Sequence, residues 1–144
     1  VARYDYAWNV VGVSNSAMSW MRSTTAKDMR IWEVAVYMSG GTAAATDVGL
    51  GRPAAISATP TTVVPQAEDL SFNAAACTGS VAATTKPTSP TLFLRRFGIP
   101  ATIGAGIIWT FPFGLIVPTG PAEIVVWNIG ASTSTFSGYF VYDE

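Results

Sequence analysis

The sequence predicts an all-β protein, and three observations carry that expectation. Valine, isoleucine and threonine supply 40 of the 144 residues, while leucine supplies only five. β-Branched side chains suit pleated strands better than helices. No segment shows an apolar stripe at helical spacing over three turns, and glycine and proline punctuate the chain at short intervals. A sandwich or barrel of short antiparallel strands follows.

The first strand region runs from Tyr4 to Val13 and continues around Ser16 to Arg22. Arg30 to Met38 gives the clearest alternation. It puts Trp32, Val34, Val36 and Met38 on one face and Ile31, Glu33, Ala35 and Tyr37 on the other. Ser39-Gly40-Gly41 then reads as a hairpin-like turn, with Thr42 to Gly51 returning antiparallel up to Arg52-Pro53.

Residues Ala54 to Pro90 differ in character. They are rich in alanine, threonine, serine and proline, and Ile56, Leu70 and Phe72 are almost their only large apolar side chains. The stretch reads as a long irregular excursion with little core to offer. Its preferred role is a segment clamped at an oligomer interface, the alternative being a loose surface loop.

Strands become dense after Pro90. Thr91 to Phe97 is one, and Gly106 to Phe113 is another, with Trp109, Phe111 and Phe113 on a common face that reads as core. Leu115 to Val117 is a short third, bracketed by Gly114 and Pro118. Glu123 to Ile129 turns Val125, Trp127 and Ile129 to one side. Thr135 to Asp143 sets Phe136, Phe140 and Tyr142 opposite Tyr139 and Val141. This last strand is too apolar for an exposed edge and is expected inside a sheet. The total is eight or nine strands, the number a jelly roll uses. With no internal repeat, residues 1–144 are expected to form a single jelly-roll domain with the excursion of residues 54–90 within it.

Charge is scarce. Eight basic and nine acidic residues make 12% of the chain, about half the usual ~25%. The 26 residues from Phe97 to Ala122 carry no charge at all. Four prolines and five glycines in that run favour buried strands and turns over a membrane helix. A surface so poor in charge is expected to be covered partly by another subunit.

The composition argues against most chemistry. There is no histidine, which excludes the histidine-dependent triads, and one cysteine cannot build a zinc site. No calcium loop, phosphate-binding glycine loop or complete dinucleotide fingerprint occurs. No catalytic, metal-binding or cofactor-binding residue and no cofactor is therefore expected. A net charge of −1 provides no field for nucleic acid. Cys77 has only small neighbours and reads as a passive thiol. The start, Val1-Ala2-Arg3-Tyr4-Asp5, lacks the apolar core of a signal peptide and fits a protein made in the cytoplasm. Glu33 and Glu123 are the one carboxylate pair worth considering for glycoside hydrolysis, though either has a simpler role as a paired or solvated charge.

Candidate interface residues are Arg3, Tyr4, Tyr6 and Trp8, because terminal strands often reach a neighbour, together with Arg95 and Arg96. The arginine pair sits mid-strand, its members point to opposite faces, and one of them would need an acidic partner such as Glu123.

Several of these segments resemble small virion proteins of tailed bacteriophages. They are Arg30-Ile31-Trp32-Glu33-Val34-Ala35-Val36-Tyr37, Gly49-Leu50-Gly51-Arg52-Pro53-Ala54, Phe93-Leu94-Arg95-Arg96-Phe97, Gly106-Ile107-Ile108-Trp109-Thr110, Val126-Trp127-Asn128 and Tyr139 to Glu144. The resemblance spans most of the chain outside the excursion. It implies a jelly roll of the tumour-necrosis-factor-like kind, assembled as a homotrimer, that acts as a head decoration (cement) protein. Such a protein sits on the outer capsid surface, contacts the major capsid protein and bridges capsomers, with no nucleic-acid or membrane partner. The alternative function is a carbohydrate- or receptor-binding fibre module, which would need exposed, aligned aromatics such as Trp8 or Trp109.

Overall fold

A computed structural model describes residues 1–58, 60–81 and 85–144; position 59 and positions 82–84 of the excursion lie outside the described residues. The described chain is entirely β. Eight long strands form the frame: β1 (Arg3–Val11), β2 (Ser16–Arg22), β3 (Met29–Gly40), β4 (Thr46–Gly51), β8 (Phe93–Ile99), β9 (Gly106–Val117), β10 (Glu123–Asn128) and β11 (Thr135–Asp143). The excursion adds three short ones, β5 (Thr62–Val63), β6 (Gln66–Ala67) and β7 (Thr78–Val81).

Two antiparallel sheets pack face to face, in the orders β6-β1-β11-β3-β9 and β5-β7-β2-β10-β4-β8. The long strands pair as nested partners: β1 with β11, β2 with β10, β3 with β9 and β4 with β8. The chain is thus one long antiparallel ribbon rolled into a sandwich, which is jelly-roll topology. The last strand lies between β1 and β3, inside its sheet. The return from Gly40 is not a hairpin. β4 crosses to the opposite sheet, where it pairs with β10 and β8, because β11 and β9 already occupy both sides of β3.

Alternation fills the core from both sheets. Tyr4, Tyr6 and Trp8 enter from β1, and Phe136, Phe140 and Tyr142 from β11. Tyr4 stacks on Tyr142 at 5.6 Å and Tyr6 on Phe140 at 6.2 Å between ring centroids. These are the cross-strand pairs set by the β1–β11 register. The other sheet contributes Met18, Met21, Val48, Leu50, Ile124 and Val126.

Bulges change two expected faces. Opposite β11, Val141 pairs with Glu33 and Tyr142 with Ile31, so Trp32 is the extra residue of β3. Ile31 therefore joins Val34, Val36 and Met38 inside, and Trp32 turns out to donate its Nε1–H to Asp143 Oδ2 at 2.6 Å. On the other side of β3, residues 111–114 of β9 stand against that single residue. Pro112 and Gly114, at φ +75°, sit in this bulge without ending the strand, and β9 runs on to Val117. Phe111 packs against the core, whereas Phe113 projects with 92% of its surface exposed, so the three aromatics do not share one buried face.

The excursion is bound to its own sandwich. Its outgoing leg crosses the outer face of the six-stranded sheet at Ser57, and its far part adds β6 beside β1 and β7 beside β2. The return leg is joined to the outgoing one between Thr88 and Ala55, and Lys86 donates to Ser16 Oγ at 2.9 Å. A second apolar cluster of Ala17, Trp20, Val125 and Trp127 lies on this outer face, with Phe93 and Ile129 packed against it. Glycine at 49 and 51 permits the close cover. A Cβ at Gly49 would stand 2.5 Å from the Phe93 ring, and one at Gly51 would stand 2.9 Å from Pro90.

Candidate functional site

A sandwich has two outer faces and two open edges, and the excursion occupies one of each. It lies over the six-stranded sheet and closes the β1–β2 edge with β6 and β7. The outer face of the five-stranded sheet and the β8–β9 edge remain open. The candidate surface is built from these two sides.

At the open edge β8 and β9 end their sheets. β9 has no charged residue to discourage pairing with another chain, the device edge strands usually employ. Leu92 is 83% exposed and Phe113 92%, and Leu94, Ile108 and Ile116 are exposed beside them. The chain exposes 6756 Å² in all. Its seventeen charges are spread at about one per 400 Å², so this apolar border meets little competition from polar neighbours.

Arg95 and Arg96 do point to opposite sides of β8. Arg95, in register with Leu50, reaches across the mouth of the sandwich, and its guanidinium carbon lies 5.2 Å from the centroid of the Phe111 ring. Among the described residues it has no carboxylate within ion-pair distance. Arg96 pairs with Asp47 on the neighbouring strand and stands over Phe93. Neither meets Glu123, because β4 lies between that residue's strand, β10, and β8.

The four terminal candidates divide. Tyr4, Tyr6 and Trp8 are 3%, 2% and 5% exposed and form the sandwich core, so they are removed from any contact surface. Period-two alternation carries them inward from a strand whose odd-numbered residues face solvent. Arg3 is exposed and binds Asp143 at 2.8 Å. Burial pushes the Asp143 carboxyl up, but hydrogen bonds from Arg3 and Trp32 outweigh it and hold it below the usual range. Trp109 is also buried at 7%, which removes it, like Trp8, from any stacking platform.

The open face of the five-stranded sheet carries two shallow hollows on either side of Tyr139. One, of about 490 Å³, is lined by Ala35, Tyr37, Gly106 and Ile108. The other, of about 380 Å³, is lined by Asp5, Glu33, Glu68, Ala7 and Val141. Tyr139 donates its hydroxyl to Glu33 Oε2 at 2.8 Å, and burial with this carboxylate neighbour pushes the phenol up to about 12. Burial and the nearby Asp5 likewise raise Glu68.

Glu33 and Glu123 do not come together. Glu33 faces out from the five-stranded sheet, while Glu123 lies on the far side of the sandwich under the excursion. There Glu123 accepts from Ser57 Oγ at 2.6 Å and from the Ser57 amide at 3.1 Å, with Arg22 Nε at 3.8 Å. Arg22 also donates to the Ser57 carbonyl. Burial raises the Glu123 carboxyl, and the Ser57 bonds and Arg22 offset part of that rise. This clasp holds the excursion. Among the described residues no group of three or more metal-ligating side chains is placed to hold an ion. Cys77 is fully buried, and burial together with the neighbouring Glu144 pushes its thiol up to about 12.

The open border and face went unrecognised in the sequence because exposure depends on which sides the excursion covers. The uncharged run of β9 was the one signal available.

The architecture defines an antiparallel β-sandwich of jelly-roll topology with one face strapped and one face open. Comparison of the chain with protein-family models, with curated proteins and with solved structures gives no match.

Proposed function

We propose that this protein is a structural virion protein, a homotrimeric decoration (cement) protein of a tailed bacteriophage. In this reading it binds the outer surface of the head, contacts the major capsid protein and stabilises the mature capsid by bridging capsomers. The observation that carries it is the exposed apolar border of Leu92, Leu94 and Phe113 on a charge-poor jelly roll. Such a border suits a protein that works by assembling. The resemblance of the strand segments to phage virion proteins supports the same reading. Threefold symmetry would multiply weak contacts with a repeated lattice into avidity.

Electron microscopy of virions with this protein located tests it. Density at local threefold positions on the outside of the head is expected, and a tail-tip location or absence from the particle overturns it. A carbohydrate- or receptor-binding fibre module is the second reading, favoured by the outward projection of Phe113. Glycan binding that is lost in a folded Phe113→Ala protein would establish it in place of the first.

A further inference from the structure

The two legs of the excursion, residues 54–58 going out and 85–90 returning, are held differently from its far part. β5, β6 and β7 join the sheets by strand pairing. Among the described residues, the one backbone-to-backbone bond of the legs runs from the Thr88 amide to the Ala55 carbonyl and ties them to each other. Bonds through side chains fasten them to the sheet. Ser57 donates twice to Glu123, Arg22 donates to the Ser57 carbonyl, and Lys86 donates to Ser16 Oγ. Under this cover lies the cluster of Ala17, Trp20, Val125 and Trp127. Closing it has a cost. The Trp20 indole N–H is fully buried with no bond partner among the described residues, and the Glu123 carboxylate is fully buried beside Arg22. Water would satisfy all three groups.

The geometry points to a latch: the two legs open together and locally while the strands stay paired, and the clasp of Glu123, Ser57 and Arg22 is the bolt that sets how often they do so. Opening trades apolar contact over Trp20 and Trp127 for hydration of a buried charge pair and an orphan donor. Segments fastened by few backbone bonds are the ones that open ahead of the whole domain. The bolt titrates. Arg22 faces Glu123 from β2 and Ser57 faces it from the outgoing leg, while β4, across β10, carries Asp47 as its one titratable side chain, and that residue pairs with Arg96. Burial raises the Glu123 carboxyl in the closed form, and opening returns it to water and to its ordinary value of 4.5. The closed form thus holds the proton more tightly. Opening should become more frequent as pH rises, by up to ~10-fold per pH unit, until the closed form too has lost its proton.

The test places a thiol under the legs with Val125→Cys and keeps the fully buried native Cys77 as the reference on the same molecule. Labelling by a pyridyl disulfide, which reacts at acid pH, is followed by peptide mass spectrometry between pH 4.5 and 8. Rates are normalised to the same protein unfolded in urea, and circular dichroism checks folding. At pH 8 the introduced thiol should label at least ~100-fold faster than Cys77, and its protection should grow as pH falls. Adding Glu123→Gln should make that protection level with pH. Adding Ser57→Ala should speed the introduced thiol at least ~10-fold at pH 8 and leave Cys77 unchanged. Should Val125→Cys fail to fold, Ala17→Cys in the same cluster carries the same readout. An introduced thiol that labels no faster than Cys77 overturns local opening. Equal acceleration of both thiols by Ser57→Ala overturns it too. Protection that ignores pH with Glu123 in place, or that still varies with pH in Glu123→Gln, overturns the role of the bolt.

Discussion

Removing the Ser57 hydroxyl should destabilise the protein by an amount that grows with pH. Ser57 holds the outgoing leg of the excursion by two bonds to Glu123, whose side chain is fully buried, and the hydroxyl makes the shorter one, at 2.6 Å. A hydrogen bond to a buried charged group contributes about 1.5–3 kcal/mol, and a neutral one about 1 kcal/mol. Burial raises the Glu123 carboxyl above its ordinary value of 4.5. The folded state therefore binds this proton more tightly than the unfolded chain does. The stability Glu123 contributes is greatest below that value, falls as pH rises through the raised one, and is level beyond it. The Ser57 hydroxyl favours the charged form and limits the fall. Ser57→Ala should thus cost about 1 kcal/mol at pH 4 and about 2–3 kcal/mol at pH 8. Near neutrality the melting temperature should drop by roughly 5–10 °C. Urea titrations at both pH values, at one fixed protein concentration, measure the two deficits. A deficit under about 0.5 kcal/mol at pH 8, or one that shrinks as pH rises, would refute the clasp.

Three further outcomes follow from the packing. Asp143→Asn should cost about 1 kcal/mol at neutral pH. It should also flatten the acid limb of the stability profile, since a depressed carboxyl stabilises above its unfolded value and loses that contribution as pH falls through the folded one; acid titration by circular dichroism checks this. Gly138→Ala would place a Cβ 2.1 Å from the Ala35 carbonyl oxygen and 2.6 Å from the Trp8 ring, for a loss of about 1–3 kcal/mol in denaturant melts. Gly98→Ala, with nothing within 4 Å, serves as its neutral control. Cys77, fully buried and with its thiol pushed up to about 12, should react with a thiol reagent only as fast as the protein unfolds, and rapid labelling of the native protein would contradict that burial.

The strand pattern made the fold class legible because alternation is a local property. Each residue's face follows from its neighbours two positions away. The grouping of Phe136, Phe140 and Tyr142 on one face therefore read directly from the sequence, as did that of Val125 with Trp127, and the structure buries both groups. The same alternation could have placed Tyr4, Tyr6 and Trp8 inside had their nearness to the terminus not suggested a neighbour. Trp32 and Phe113 were misplaced for a different reason. A bulge shifts the period, and whether a strand bulges depends on the register with its partner, which for β3 and β9 lies some eighty residues away.

The amino-acid sequence by itself determined the all-β class, the scarcity of charge and the uncharged stretch that becomes β9, because each is a property of composition or near-neighbour spacing. Only the tertiary structure decided which sheet each strand joins, that the excursion straps its own sandwich, and that Glu123 answers to Ser57 and Arg22. Those outcomes depend on pairings between distant segments, whose partners compete for the same sheet edges. The open face and border are what that competition leaves uncovered.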